Sequence, residues 1–143
     1  LFALDNGGRV RDLYVAGHPS LAGRVMFTDS PPGSAEAAFL KINDPLPDPD
    51  GIRARVAEGY IVRTRADADT LEARLGDVTR RDAALASGAQ YVSTDYPVPN
   101  PAFGTGYSVA IPGGTPGRCN PVNAPDECHS RLLELPRGGH PRR

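Results

Sequence analysis

Apolar residues in this chain come in short runs divided by turn-forming residues. Leu1-Phe-Ala-Leu4 reads as a strand fragment that ends in the turn Asp5-Asn-Gly-Gly8. Arg9 to Ala16 follows as a short helix, closed by Gly17. Arg24-Val-Met-Phe-Thr28 is a second strand, halted by Asp29-Ser-Pro-Pro-Gly33. Ser34 to Ala38 leaves room for one helical turn at most, and Phe39-Leu-Lys-Ile-Asn43 is a third strand. After a loop from Asp44 to Gly51, Ile52 and Val56 share one face of a helix that runs to Glu58, with Gly59 as its stop. Tyr60-Ile-Val-Arg-Thr-Arg65 is the fourth strand. Asp69 with Glu72 three residues on makes a capping-box pattern, and Leu71 and Leu75 give that helix an apolar stripe. Gly76-Asp77 interrupts, and another helix runs from Thr79 to Ser87. It packs through Ala83, Ala84, Leu85 and Ala86, and Gly88 stands where a C-cap glycine belongs. Gln90 to Thr94 reads as a last short buried strand, with Asp95 at its carboxyl end and Pro97 stopping it.

Hydrophobic strands alternating with helical crossovers predict an α/β fold with a parallel sheet. The strands are short enough to be barrel staves. After Pro97 the character changes. Residues 98–116 are rich in Pro, Gly, Ser and Thr, with one candidate strand from Tyr107 to Ile111. A helical turn from Arg131 to Leu135 closes the chain, with Leu132 and Leu133 pinning it to the body. The expected division is therefore 1–97 as the α/β part and 98–143 as a loop-rich extension packed on it.

Composition narrows the function. The 143 residues are 39% hydrophobic, with 16 Gly and 15 Pro, so the core is small and loops are extensive. A formal net charge of −1 gives no electrostatic case for a nucleic-acid partner. No stretch approaches the ~20 apolar residues of a membrane span, and no signal peptide is visible. The chain begins inside a strand-like run without an initiator Met, which is expected of a fragment or of a chain whose upstream sequence was removed. Cys119 and Cys128 flank a polar, Pro-rich loop that neither helix nor strand would hold. A disulfide would explain that loop and imply an oxidising compartment. Free thiols and a zinc site with His129 are the alternatives, although no paired Cys-x-x-Cys knuckle is present.

Strand parity brings charged residues together. Alternate residues in a strand face opposite ways. If Leu40, Ile42, Val62, Val92 and Thr94 face the helices, then Asp5, Lys41, Arg63 and Asp95 all point to the other side, at or near carboxyl ends of strands. Thr28 is placed at the same mouth, and Arg65 above it. Two acids and two bases so placed either pair as a structural layer or form an anion site, with Lys41 and Arg63 on a phosphate and the acids on hydroxyls. No catalytic set is visible. His18 precedes Pro19 in a crossover, His129 lies beside Cys128, and His140 is in the tail.

The run Ala83-Ala-Leu-Ala-Ser-Gly-Ala-Gln-Tyr-Val-Ser-Thr-Asp-Tyr-Pro97 resembles the last helix and eighth strand of the phospholipase C-like phosphodiesterase TIM barrels. Within these it is most similar to the secreted, calcium-dependent phosphoinositide phospholipases C of the actinomycete type. Leu1-Phe-Ala-Leu-Asp-Asn6, Gly23-Arg-Val-Met-Phe-Thr28, Ala37-Ala-Phe-Leu-Lys-Ile-Asn-Asp-Pro45 and Tyr60-Ile-Val-Arg-Thr-Arg-Ala-Asp67 agree with that group, as does the tail from Pro116 to Cys128. The resemblance implies the C-terminal four or five staves of such a barrel, with the N-terminal half missing and the tail closed by a Cys119–Cys128 disulfide. It implies a secreted phosphodiesterase acting on an inositol phospholipid, touching the membrane surface peripherally. Attack of the inositol 2-hydroxyl on phosphorus would expel diacylglycerol. It implies calcium in the full-length enzyme, with ligands upstream and none in this segment, and catalytic histidines upstream as well. Lys41, Arg63 and Asp95 are the implied substrate contacts, with Asp5 and Tyr96 beside them. A catalytically inactive binding or assembly module and a glycerophosphodiester phosphodiesterase are the rival readings.

Overall fold

The structure, a computed structural model, describes residues 1–133. In chain order the elements are β1 (Ala3–Leu4), α1 (Gly8–Val15), β2 (Phe27–Thr28), β3 (Phe39–Lys41), α2 (Pro49–Ala57), β4 (Ile61–Arg65), α3 (Leu71–Leu75), α4 (Thr79–Ala86) and β5 (Tyr91–Ser93). Single 3-10 turns occupy Pro19–Leu21, Pro101–Phe103 and Ser130–Leu132. Every strand pairing is parallel, in the sheets β1-β2 and β3-β4-β5. A parallel bridge between Asp29 and Phe39 stitches the two sheets, so neighbours in sequence are neighbours in space.

The main core lies between the sheet and α2, while Phe39, on the Lys41 side of β3, is buried too. Leu40 and Val62 meet Ile52 and Val56 of α2, with Ile42, Tyr60, Ala89 and Val122 packed around them. Burying each such side chain is worth about 1.5–3 kcal/mol. The expected alternation holds along β4, where Val62 and Thr64 are buried and Ile61, Arg63 and Arg65 are half-buried. Gln90 extends the ladder with its side chain: Val62 N–H donates to Gln90 Oε1 at 2.8 Å, and Gln90 Nε2 donates to Tyr60 O at 3.1 Å. Helix α2 starts at Pro49, three residues before the expected Ile52, because Asp48 caps it by accepting Gly51 N–H at 2.8 Å.

Several expected details are corrected. The second strand shrinks to Phe27–Thr28 because Tyr14 takes the N–H groups of Val25 and Met26 at 3.2 and 2.9 Å. Residues 34–38 form turns and no helix. Asp69 is no helix cap: its φ of 55° is left-handed, whereas a cap needs extended backbone. Glu72 reaches back instead to Ala68 N–H at 2.9 Å, and its other oxygen takes Arg80 Nε at 2.9 Å. That turns Glu72 and Ala73 inward and leaves Leu71 and Leu75 at 62% and 70% exposure. Strand β5 is a sheet edge, with Tyr91 47% exposed, and is not buried. Tyr107 to Ile111 forms no strand, since only Val109 N–H reaches Tyr96 O, at 2.9 Å. Leu132 and Leu133 are exposed and pin nothing; Leu135 and His140 lie outside the described residues.

The segment after Pro97 packs on the body through specific contacts. Tyr107 is buried with Tyr96 and Ala73, its ring edge-on to Tyr96 at 5.7 Å. Thr105 Oγ1 donates to Ala73 O at 2.6 Å, and Arg81 Nη1 donates to Ser108 O at 3.2 Å. Arg118 donates to Leu85 O, Asn120 Nδ2 to Gly88 O at 2.7 Å, and Asn123 Nδ2 to Val56 O at 3.2 Å. Cys119 and Cys128 are bonded to each other, closing the loop that carries Asn120 and Asn123. Among the described residues no helix is long and apolar enough to cross a membrane.

Candidate functional site

Register places the basic residues side by side. Lys41, Arg63 and Tyr91 are partners across β3, β4 and β5, and Arg65 pairs with Ser93 one level higher. Parallel neighbours in register point to the same face, about 4.8 Å apart. Leu40 and Val62 point the other way into the core. The face away from α2 therefore carries Lys41 and Arg65 at the carboxyl ends of their strands and Arg63 in the middle of β4.

Lys41 is held by two acids. Its Nζ lies 3.0 Å from Asp5 Oδ1 and 3.9 Å from Asp29 Oδ2, and it donates to Asp5 O at 2.6 Å. Asp29 also accepts Lys41 N–H through Oδ1 at 2.9 Å. Arg63 Nη1 donates to Asn43 Oδ1 at 2.6 Å. Among the described residues Arg63 makes no salt bridge. A fixed guanidinium beside an ammonium is suited to a phosphate or another small oxyanion.

The other expected residues divide between this cluster and other places. Asp5 joins Lys41. Asp95 lies in the turn beyond β5, its carboxylate exposed and bonded to neither base. Its backbone N–H donates to Asp67 Oδ1 at 3.0 Å. Tyr96 is buried against Tyr107 and Phe103, and its hydroxyl donates to Asp69 O at 3.2 Å, so the ring supports the turn. Thr28 does not line the mouth: it is buried with Ser30, the hydroxyls 2.9 Å apart, one residue out of phase with Asp29. His18 bonds locally, Nδ1 to Ala22 O at 2.9 Å.

Sequence reasoning missed Asp29 and Asp67 as parts of this region. A signal existed for Asp29. Leu4 and Thr28 are register partners, and each is followed at once by an aspartate. Asp67 had no such signal, because its partners Thr94, Asp95 and Tyr107 are 27, 28 and 40 residues away. Burial first, and the carboxylates of Asp67 and Glu72 next, push the Tyr107 hydroxyl up to about 12.

A cleft of about 420 Å³ opens on the far side of β5, between Leu85, Val92, Val109, Ile111, Arg118 and Pro121. Neither Lys41 nor Arg63 lines it; its walls are mostly apolar, with Arg118 as the one base among them. Among the described residues no group of three or more His, Cys, Asp or Glu is placed to hold a metal ion. The two acids that do converge, Asp5 and Asp29, share Lys41 and do not fit a calcium site.

A family model described as phosphoinositide phospholipase C, Ca2+-dependent, matches residues 1–121. Neither a curated protein nor a solved structure matches the chain.

Proposed function

This chain belongs to the Ca2+-dependent phosphoinositide phospholipase C family, and from that premise we propose that it forms the far wall of the substrate pocket of a phosphatidylinositol-cleaving phosphodiesterase. In this reading the five parallel strands are the last staves of a (β/α) barrel, residues 98–143 are its extension, and the first staves belong to an N-terminal half. The sequential strand order and the single helix-covered face support it. The protein acts outside the cell, consistent with its disulfide, and meets its lipid at the membrane surface.

One observation carries the reading: Lys41 and Arg63 are in register on the face away from the helices. Cleavage proceeds by attack of the inositol 2-hydroxyl on phosphorus, with the diacylglycerol oxygen leaving. The phosphoryl oxygens gain charge as the bond forms, and Lys41 and Arg63 offer fixed donors to that charge. Asp5 and Asp29 hold Lys41 in place, Asn43 holds Arg63, and Asp95 takes a headgroup hydroxyl. The general acid and base, and the carboxylates for calcium, come from the N-terminal half.

Isothermal titration of the 143-residue chain with inorganic phosphate and inositol 1-phosphate tests this. Arg63→Ala or Lys41→Ala should weaken both ligands by about tenfold or more, since each removes a charge-assisted contact worth ~1.5–3 kcal/mol. Undiminished binding in the double variant would sink the reading.

A further inference from the structure

Asp67 takes no part in the row of strand-end residues, yet it is 1% exposed, two residues past the end of β4. A buried carboxylate is costly unless its oxygens are satisfied. Its partners here are three donors and no base. Thr94 Oγ1 donates to Oδ2, and Asp95 N–H donates to Oδ1 at 3.0 Å. Tyr107 Oη stands 3.5 Å from Oδ2 and 3.0 Å from Ala66 O. Thr94 Oγ1 in turn accepts Tyr96 N–H at 2.9 Å. The Thr94 hydroxyl and the Asp95 backbone N–H are thus gripped by one carboxylate, and Tyr107 stands beside it from the extension.

We propose that Asp67 is a positioning residue that fixes the Thr94–Asp95 turn, so that the Asp95 carboxylate stands ready for an inositol hydroxyl. This rests on the pocket-wall reading above. The chemistry favours a carboxylate over its amide. A carboxylate takes the Thr94 proton on one oxygen and the Asp95 N–H on the other; an amide would present an NH2 in place of the oxygen that accepts from Thr94, whose hydroxyl already accepts Tyr96 N–H.

The test uses the 143-residue chain with two probes, inorganic phosphate and inositol 1-phosphate, together with amide hydrogen exchange. Phosphate needs only Lys41 and Arg63, whereas the inositol ring also needs Asp95. Asp67→Asn should weaken inositol 1-phosphate about tenfold and leave phosphate unchanged. Asp95→Ala should do the same, and the double variant should be no weaker than Asp95→Ala alone. The Asp95 amide should exchange at least tenfold faster in Asp67→Asn, while that of Val62 stays slow. If Asp67→Asn fails to fold, Thr94→Val removes one donor while keeping the side chain's shape, and should shift the same readouts in the same direction. An unaltered preference for inositol 1-phosphate, or losses that simply add in the double variant, would overturn the proposal. Wild-type chain that binds neither probe would remove the pocket-wall reading, and slow Asp95 exchange in the variant would then remove the clamp as well.

Discussion

At the residue scale, Tyr107 and Gly88 show how narrow some positions are. Tyr107 is 4% exposed, and its hydroxyl is held protonated up to about 12, against an ordinary value of 10.0. A raised folded value means that the stabilisation is complete below pH ~10 and is lost as pH rises toward ~12. The loss is bounded by roughly 2–3 kcal/mol. Denaturant midpoints measured from pH 9 to 12 should therefore fall steeply in the wild type and less in Tyr107→Phe, which should start lower. Gly88 has φ +81°, and a Cβ there would stand 2.3 Å from Val122 Cγ2. Gly88→Ala meets both the left-handed backbone and that clash, so it should cost about 2 kcal/mol or more. Trimming Val122 to Ala in the same chain should return part of the loss, as urea unfolding would show.

At the element scale, the sheet and α2 depend on each other. Strand β3 has three residues and β5 has three, too few to be stable as a bare sheet. Their anchor is the contact of Leu40 and Val62 with Ile52 and Val56. Ile52→Ala should cost about 2–5 kcal/mol and should loosen β3 and β4 together, which amide exchange would register. The extension is held in a second way. Asn120, Val122 and Asn123 sit inside the loop closed by Cys119 and Cys128, a separation of 9 residues. Reducing that bond should cost roughly 2–3 kcal/mol, and it should release Asn120 from Gly88 before β4 opens. Most of the helices and strands were readable from apolar periodicity and glycine stops. Helix α3 was misread because its Leu71 and Leu75 are spaced like a buried stripe, while the buried hydrogen bonds of Glu72 decide which side turns inward.

At the scale of the whole molecule, the sheet ends in two open edges, β1 and β5. Leu1 and Phe2, which lead into the first of them, are exposed, as are Val10 and Leu13 on α1. In the function proposed above the chain is one wall of a larger barrel, and the general acid and base come from the rest of it. The purified 143 residues should thus show no hydrolysis of phosphatidylinositol with or without calcium, and turnover abolished by a His18 substitution would show otherwise. Local order set much of this molecule in advance. Apolar alternation settled that Leu40 and Val62 face α2, and so that Lys41 and Arg63 share the opposite face, although burial of Phe39 on that face was not legible from it. Side-chain parity is a property of the strand itself and needs no partner. Which acids would find Lys41 depended on strand register, and Asp29 joined Asp5 only because β1, β2 and β3 lie side by side. The buried grip of Asp67 on Thr94, Asp95 and Tyr107 likewise joins residues 27 to 40 positions apart. No pattern of nearest neighbours encodes such a contact, because it exists only after β4, β5 and the extension have packed and excluded water.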